Sequence, residues 1–262
     1  MVKTLKYLAF SLNILAGGTG VVFAEEKEQV RFNISADYYN KYIWRGQNID
    51  DDPVFQPSIS AAYSNLTASI WGNLELTNIN DKSGDFSELD YTLDYSAALP
   101  VIEGVGYSVG VIYYDFPSSA ADGTIIPDTT EIYWGLNLDI ALNPALAVYH
   151  DVDEAEGSYV SLSTGHNIEK IIEIGPEMPV GMKISASLGW GSSSYNKYYW
   201  GTNQSKLNDL AFSVSFPLKV AGWSVTSSIS YITLLSDDIR DTDAYGTDSD
   251  FFVAGIGLLK NF

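Results

Sequence analysis

The nucleophilic chemistry open to this chain rests on serine and histidine. The 262 residues include two histidines and no cysteine. Without cysteine there is no disulfide scaffold, thiolate zinc site, iron–sulfur cluster or cysteine nucleophile. A serine hydrolase needs a histidine within hydrogen-bond reach of a serine. His150 opens the run His150-Asp151-Val152 at an outer strand end, and Ser158 or Ser161 can neighbour it across a hairpin; His166 lies near the inner end of the next strand. No nucleophile motif surrounds these serines. The sequence therefore assigns no catalytic residue, and a lipid-acting hydrolase centred on His150 is its least favoured reading.

The carboxylates suggest binding rather than catalysis. Thirty-three acidic residues against 14 basic ones give a net charge of −19. That balance excludes nucleic acid as partner, because neutralising phosphates needs an excess of Lys and Arg. The run from Asp237 to Asp248 has a carboxylate density suited to a divalent cation. It fails the EF-hand pattern, with Tyr245 at a ligand position and no closing Glu. It reads as a solvated surface loop, so neither a metal nor a cofactor is expected. The cluster Tyr195-Asn196-Lys197-Tyr198-Tyr199-Trp200 can stack a sugar or nucleobase. It reads more simply as an interfacial girdle or the tip of an extended hairpin.

The elements that position these residues are strands. Residues 1–24 have the marks of a secretory signal: Lys3 and Lys6, an apolar Leu8-to-Ala16 run, and a small-residue cleavage site at Ala24. Residues 25–262 then form one domain. No later segment has the apolar length of a transmembrane helix. Alternation at period two recurs instead. Leu89, Tyr91, Leu93, Tyr95, Ala97 and Leu99 form one apolar face, and Met182, Ile184, Ala186, Leu188 and Trp190 another. Twelve such segments fall near 30–45, 54–63, 66–76, 86–99, 105–116, 129–141, 144–152, 157–168, 181–191, 206–218, 222–235 and 250–262. Most exceed the five or six residues usual in globular strands and match a tilted membrane crossing.

Tight connections at Ser64-Asn65, Leu142-Asn143 and Ala221-Gly222 alternate with long polar stretches at 77–85, 116–128, 192–205 and 236–249. Trp44, Tyr63, Trp134, Trp190, Trp223 and Phe262 end apolar faces, as girdles would. The fold class is all-β, an antiparallel up-and-down transmembrane barrel of about twelve strands. Lipid forces closure, because every backbone polar group must be paired internally. An even strand number puts both termini on one side. The last strand alternates to a terminal Phe262, resembling the signal read by outer-membrane insertion machinery, which is therefore an expected partner with the surrounding lipid.

If the apolar parity faces lipid, the other parity lines the lumen. Strand one then sends Arg31, Asp37, Lys41 and Arg45 inward. Later strands send Glu75, Glu88, Asp90, Asp94, Glu131 and Asp139 to face them. A basic wall opposite an acidic wall orients dipolar solutes, and the acidic excess gives weak cation preference. Alternatively, these residues pair across the lumen and plug it. Twelve strands lie between the filled eight-stranded and the open sixteen-stranded barrel.

The run Asp37-Tyr38-Tyr39-Asn40-Lys41-Tyr42-Ile43-Trp44-Arg45-Gly46, then Pro53-Val54-Phe55-Gln56, resembles the opening of the TorF-like porin family. The resemblance continues through Ala68-Ser69-Ile70-Trp71-Gly72-Asn73 and Val109 to Pro117, then Thr130 to Leu136. Ala36 departs from the family's usual Ser, and Pro57 falls inside a strand, which leaves the register there open. The resemblance implies an outer-membrane channel of poorly defined substrate and supplies no catalytic site. Together with the acidic lining, it leads to the expectation of passive diffusion of small polar or cationic solutes across the outer membrane of a Gram-negative bacterium. The rival reading is a closed-lumen barrel acting as a surface receptor or adhesin through its acidic and aromatic loops.

Overall fold

The structure is a computed structural model that describes residues 29–78, 83–117, 125–176 and 178–262. The expected signal at 1–24 lies outside the described residues. The chain runs through β1 (Arg31–Tyr39), β2 (Tyr42–Trp44), β3 (Gln47–Asp50), β4 (Val54–Tyr63), β5 (Leu66–Glu75) and β6 (Phe86–Ala98). It continues through β7 (Val105–Asp115), β8 (Thr129–Leu138), β9 (Ala145–Asp151) and β10 (Ser158–Glu173). Then come β11 (Pro179–Gly191), α1 (Ser193–Trp200), β12 (Lys206–Val220), β13 (Trp223–Leu234), α2 (Asp237–Arg240) and β14 (Asp250–Asn261).

Twelve of the strands, all except β2 and β3, close into one antiparallel barrel. The seam joins β1 to β14, with Asn33 opposite Asn261. Beyond it Phe32 and Phe262 exchange backbone bonds of 3.4 and 2.8 Å, so pairing reaches the last residue. Closure leaves the barrel sheet without an edge strand whose N–H and C=O groups would face lipid unpaired. β1 starts and β14 ends at the end that carries the short turns, called here the turn end; the long connections and both helices lie at the loop end.

Period-two patterning decides which face is which. Tyr91, Leu93, Tyr95, Val109, Val111, Ile132 and Trp134 point outward and are exposed, while Asp94, Ser108 and Glu131 of alternate parity are buried inside. An apolar outer surface of this extent is costly in water and favourable in lipid. At the turn end Val220 pairs with Trp223 around Ala221 and Gly222, both at positive φ, as a two-residue type I′ turn requires.

Pro57 pairs with Ala36 and does not shift the register: Phe55–Leu74 and Ser58–Trp71 belong to one ladder, interrupted only between them. Proline brings no N–H, so that gap is a missing donor. Beside it the Gln56 amide donates to Asn73 Oδ1 at 2.9 Å.

Three expectations are corrected. Segment 30–45 is not one strand, because β1 stops at Tyr39 and a separate hairpin, β2–β3, follows. Strand eight ends at Leu138, where its N–H bonds to Pro144 O. The strands expected at 157–168 and 181–191 reach further toward each other, since β10 runs to Glu173 and β11 begins at Pro179, with Ile172 opposite Val180.

Candidate functional site

The β2–β3 hairpin turns into the loop end of the barrel. Trp44 pairs with Gln47, and the two-residue tip Arg45-Gly46 has φ of +50° and +82°. Both signs suit a type I′ turn. Arginine seldom adopts this conformation, so seating it there carries a local cost. Gly46 is required for a second reason. A Cβ at this position would lie 2.8 Å from Leu234 Cδ2 and 2.9 Å from Asp209 Cβ. The tip therefore reaches across the lumen to β12 and β13.

Arg45 is held by a charged and aromatic cage. Its Nη1 and Nη2 donate to the two oxygens of Glu131 at 2.7 and 2.8 Å. The two side chains are only 3% and 1% exposed, so this is a buried pair. Tyr114 donates to Glu131 Oε2 at 2.7 Å. The guanidinium carbon lies 4.3, 4.4, 4.6 and 5.9 Å from the ring centroids of Trp44, Tyr149, Tyr159 and Tyr195. Ion pairing of this kind offsets desolvation only when geometry and hydrogen bonding are both good, as the bidentate fork provides. Tyr159 extends the network by donating to Asp209 Oδ1 at 2.8 Å.

The loop 192–205 closes the cage from above. Ser192 caps α1 by accepting from Tyr195 N, and Gly201, at φ +72°, ends it. This geometry turns Tyr195, Asn196 and Trp200 down into the barrel. Tyr195 accepts from Gln47 Nε2 at 3.0 Å, and burial holds its phenol well above the ordinary range. Asn196 bonds Gly191 O and Gln204 O, and accepts from Asn208. The aromatic cluster is thus an infolded lid, not a girdle or an extended tip. Trp44 is likewise luminal, against Tyr114 and Tyr199.

The remaining site residues divide. Asp37, Glu75, Glu88, Asp90, Asp94 and Glu131 are buried in the lumen. Glu88 lies beside Tyr42 and Asp90, and Asp94 accepts from Tyr133 at 2.5 Å. Arg31 lies at the turn end and bonds Ser64 O. Lys41 is not on β1; it sits at the bend before the hairpin and pairs with Asp51 at 2.5 Å. That contact holds the Asp51 carboxyl below its ordinary range. Arg45 is inward, but from the hairpin instead of strand one. Asp139 is not luminal: it follows the end of β8, is exposed, and donates its N–H to Gly104 O.

His150 and Ser158 face each other across β9 and β10, Nδ1 to Oγ 2.9 Å, on the outer face. Ile132 flanks the histidine on its other side. Among the described residues no carboxylate pairs with it, and Ser161 is buried in the lumen instead. In the acidic loop, Ile239 is buried, Arg240 bonds Leu234 O and Thr233 Oγ1, and Lys206 pairs with Asp238. Among the described residues no group of three metal-ligating side chains converges.

No protein-family model matches the chain, and no curated protein matches it in sequence. Solved structures do. LpxR from Salmonella typhimurium overlays with a TM-score of 0.52 at 8% identity, covering 87% of this chain and 99% of that one. The NanC porin overlays at 0.44 with 13% identity, covering 87% and 98%. The COG4313 outer-membrane channel from Pseudomonas putida F1 overlays at 0.43 with 7% identity, covering 92% and 100%. At these identities the likeness is one of fold. The chain is a closed twelve-stranded barrel similar to outer-membrane β-barrels, porins and channels among them.

Proposed function

We propose that this protein is a porin-like channel of a Gram-negative outer membrane, of the TorF-like kind, for passive diffusion of small polar or cationic solutes. The observation that carries the reading is the charge of the barrel interior. Among the described residues, the buried charged side chains are Asp37, Asp50, Glu75, Glu88, Asp90, Asp94, Glu131, Asp151 and Asp209 against Arg45 alone. Lys183 is half-buried on the inward parity of β11; with it, nine carboxylates against two basic groups still favour cations over anions in transit. The hairpin and α1 close the loop end, so passage requires the hairpin to withdraw. The reading is non-enzymatic; a triad needs a third group to orient its histidine, and among the described residues no carboxylate pairs with His150.

A second reading is a surface receptor or adhesin with a permanently closed lumen. The tight packing around Arg45 favours it. The two separate in a planar bilayer with a salt gradient across it. The channel reading expects discrete openings whose reversal potential is shifted toward that of the cation. An anion-shifted potential would overturn it, and a folded barrel that stays silent under all voltages would favour the receptor.

A further inference from the structure

We propose that the cage around Arg45 is a recognition site for solutes bearing a guanidinium group, and that Arg45 is its tethered occupant. The inference rests on the channel reading only for the route by which a solute arrives.

Most of the cage belongs to the barrel wall. Glu131 is on β8, Tyr114 on β7, Tyr149 on β9 and Tyr159 on β10. Four consecutive strands thus present a carboxylate, a phenol that orients it, and two ring faces. The hairpin contributes only the guanidinium and Trp44. Withdrawal of the hairpin leaves the acceptor and its rings on rigid strands.

The chemistry selects the planar fork. Guanidinium presents parallel N–H groups to both carboxylate oxygens while its faces stack on aromatic rings. An alkylammonium is a strongly hydrated point charge that does neither well. The observed contacts are of the first kind: two N–H bonds to the two oxygens, with rings at 4.3–4.6 Å. An ion pair that served only to fasten the hairpin would be complete with Glu131. The wall goes further, and adds two tyrosine faces on neighbouring strands.

Competition is therefore between a tethered and a free guanidinium. A short tether acts as an effective concentration of roughly millimolar or more, so a free solute must exceed that to displace Arg45. Displacement frees the hairpin, so binding and opening are one event.

The wild-type protein supplies the first test. Docked, the bond after Arg45 is shielded from trypsin. With each rate normalised to trypsin's rate on a reference peptide in the same solution, methylguanidinium at about 100 mM is expected to speed cleavage at Arg45 roughly tenfold, while sodium and methylammonium at equal ionic strength do not. Equal acceleration by all three cations, or by none, overturns the proposal. The second test uses Arg45→Ala refolded in detergent, or Arg45→Lys if the first does not fold. Low-millimolar methylguanidinium is expected to raise the variant's melting midpoint, leaving the wild type and the Arg45→Ala/Glu131→Gln double variant unmoved. A variant that melts identically with and without methylguanidinium overturns the proposal. Neither test reads current: guanidinium-specific protection with a silent bilayer would reject the channel and retain the site, and a conducting barrel without it would do the reverse.

Discussion

The two halves of the lumen are built from different side chains. At the loop end the interior is filled by Tyr114, Tyr149, Tyr159, Tyr195, Trp200 and the Arg45–Glu131 pair, all buried. Toward the turn end it is lined by short polar groups. Ser35 bonds Ser58 at 2.8 Å, Asn33 bonds Ser60 at 3.1 Å and Ser213 bonds Ser230 at 2.7 Å. Most of this lining is half-buried rather than sealed. Strand number and pairing are the same along the barrel, so the backbone does not decide where it is closed. Side-chain volume and one inserted hairpin do.

The contrast predicts where substitutions will matter. The largest effect is expected at Glu131. Glu131→Ala leaves the Arg45 guanidinium buried without its partner, which costs about 3–5 kcal/mol in comparable buried pairs. The hairpin should undock, read as rapid trypsin cleavage after Lys41 and Arg45 and a lower melting midpoint. At the turn end, Ser58→Ala removes one neutral hydrogen bond, worth about 1 kcal/mol, and should leave cleavage unchanged. Equal effects at the two sites would erase the distinction.

Next is the hairpin tip. Gly46→Ala places a Cβ against Leu234 and Asp209 at a φ of +82°. Both strain and overlap oppose docking, by about 1–2 kcal/mol or more. Gly222→Ala shares the positive φ of +78° but meets nothing nearer than Lys260 Nζ at 4.0 Å. It should show the strain alone, as a smaller fall in melting midpoint without change in hairpin protection.

The smallest effect is one of pH. Burial, the largest cause, pushes the Asp50 carboxyl on the hairpin from 3.8 up to about 6, with Glu75, Asp51 and Asp52 adding to it. The docked hairpin then holds a proton that the undocked one releases at lower pH. Its docking is strongest below about pH 4, weakens as pH rises to 6, and is level above. Hairpin cleavage in the wild type should quicken over that window, and Asp50→Asn should remove Asp50's part of the change.

Much of the barrel was legible because period two is a strong signal on a wall with lipid on one side. The run Tyr91, Leu93, Tyr95 fixes the face and hence the inward set Asp90 and Asp94. The hairpin was not legible by that rule. Tyr42-Ile43-Trp44 continues the length and apolar character of β1, so 30–45 reads as one strand. The available signal was the Arg-Gly pair between Trp44 and Gln47, a two-residue turn that needs positive φ. In α1, Ser192 and Gly201 bracket Tyr195 and Trp200 as cap and stop. An alternating reading passes over them because the helix is only eight residues long. Asp139 misleads for the opposite reason: the alternation runs on past Leu138, where backbone bonds to Pro144 and Gly104 have already begun the turn.

On the channel reading, Arg45 seated on Glu131 closes an acid-lined barrel. Single-channel recording of wild type and Arg45→Ala side by side, in one salt gradient, tests it most directly. Rare openings are expected in the wild type, and frequent, larger, cation-selective openings in Arg45→Ala. A folded Arg45→Ala barrel as quiet as the wild type would contradict it.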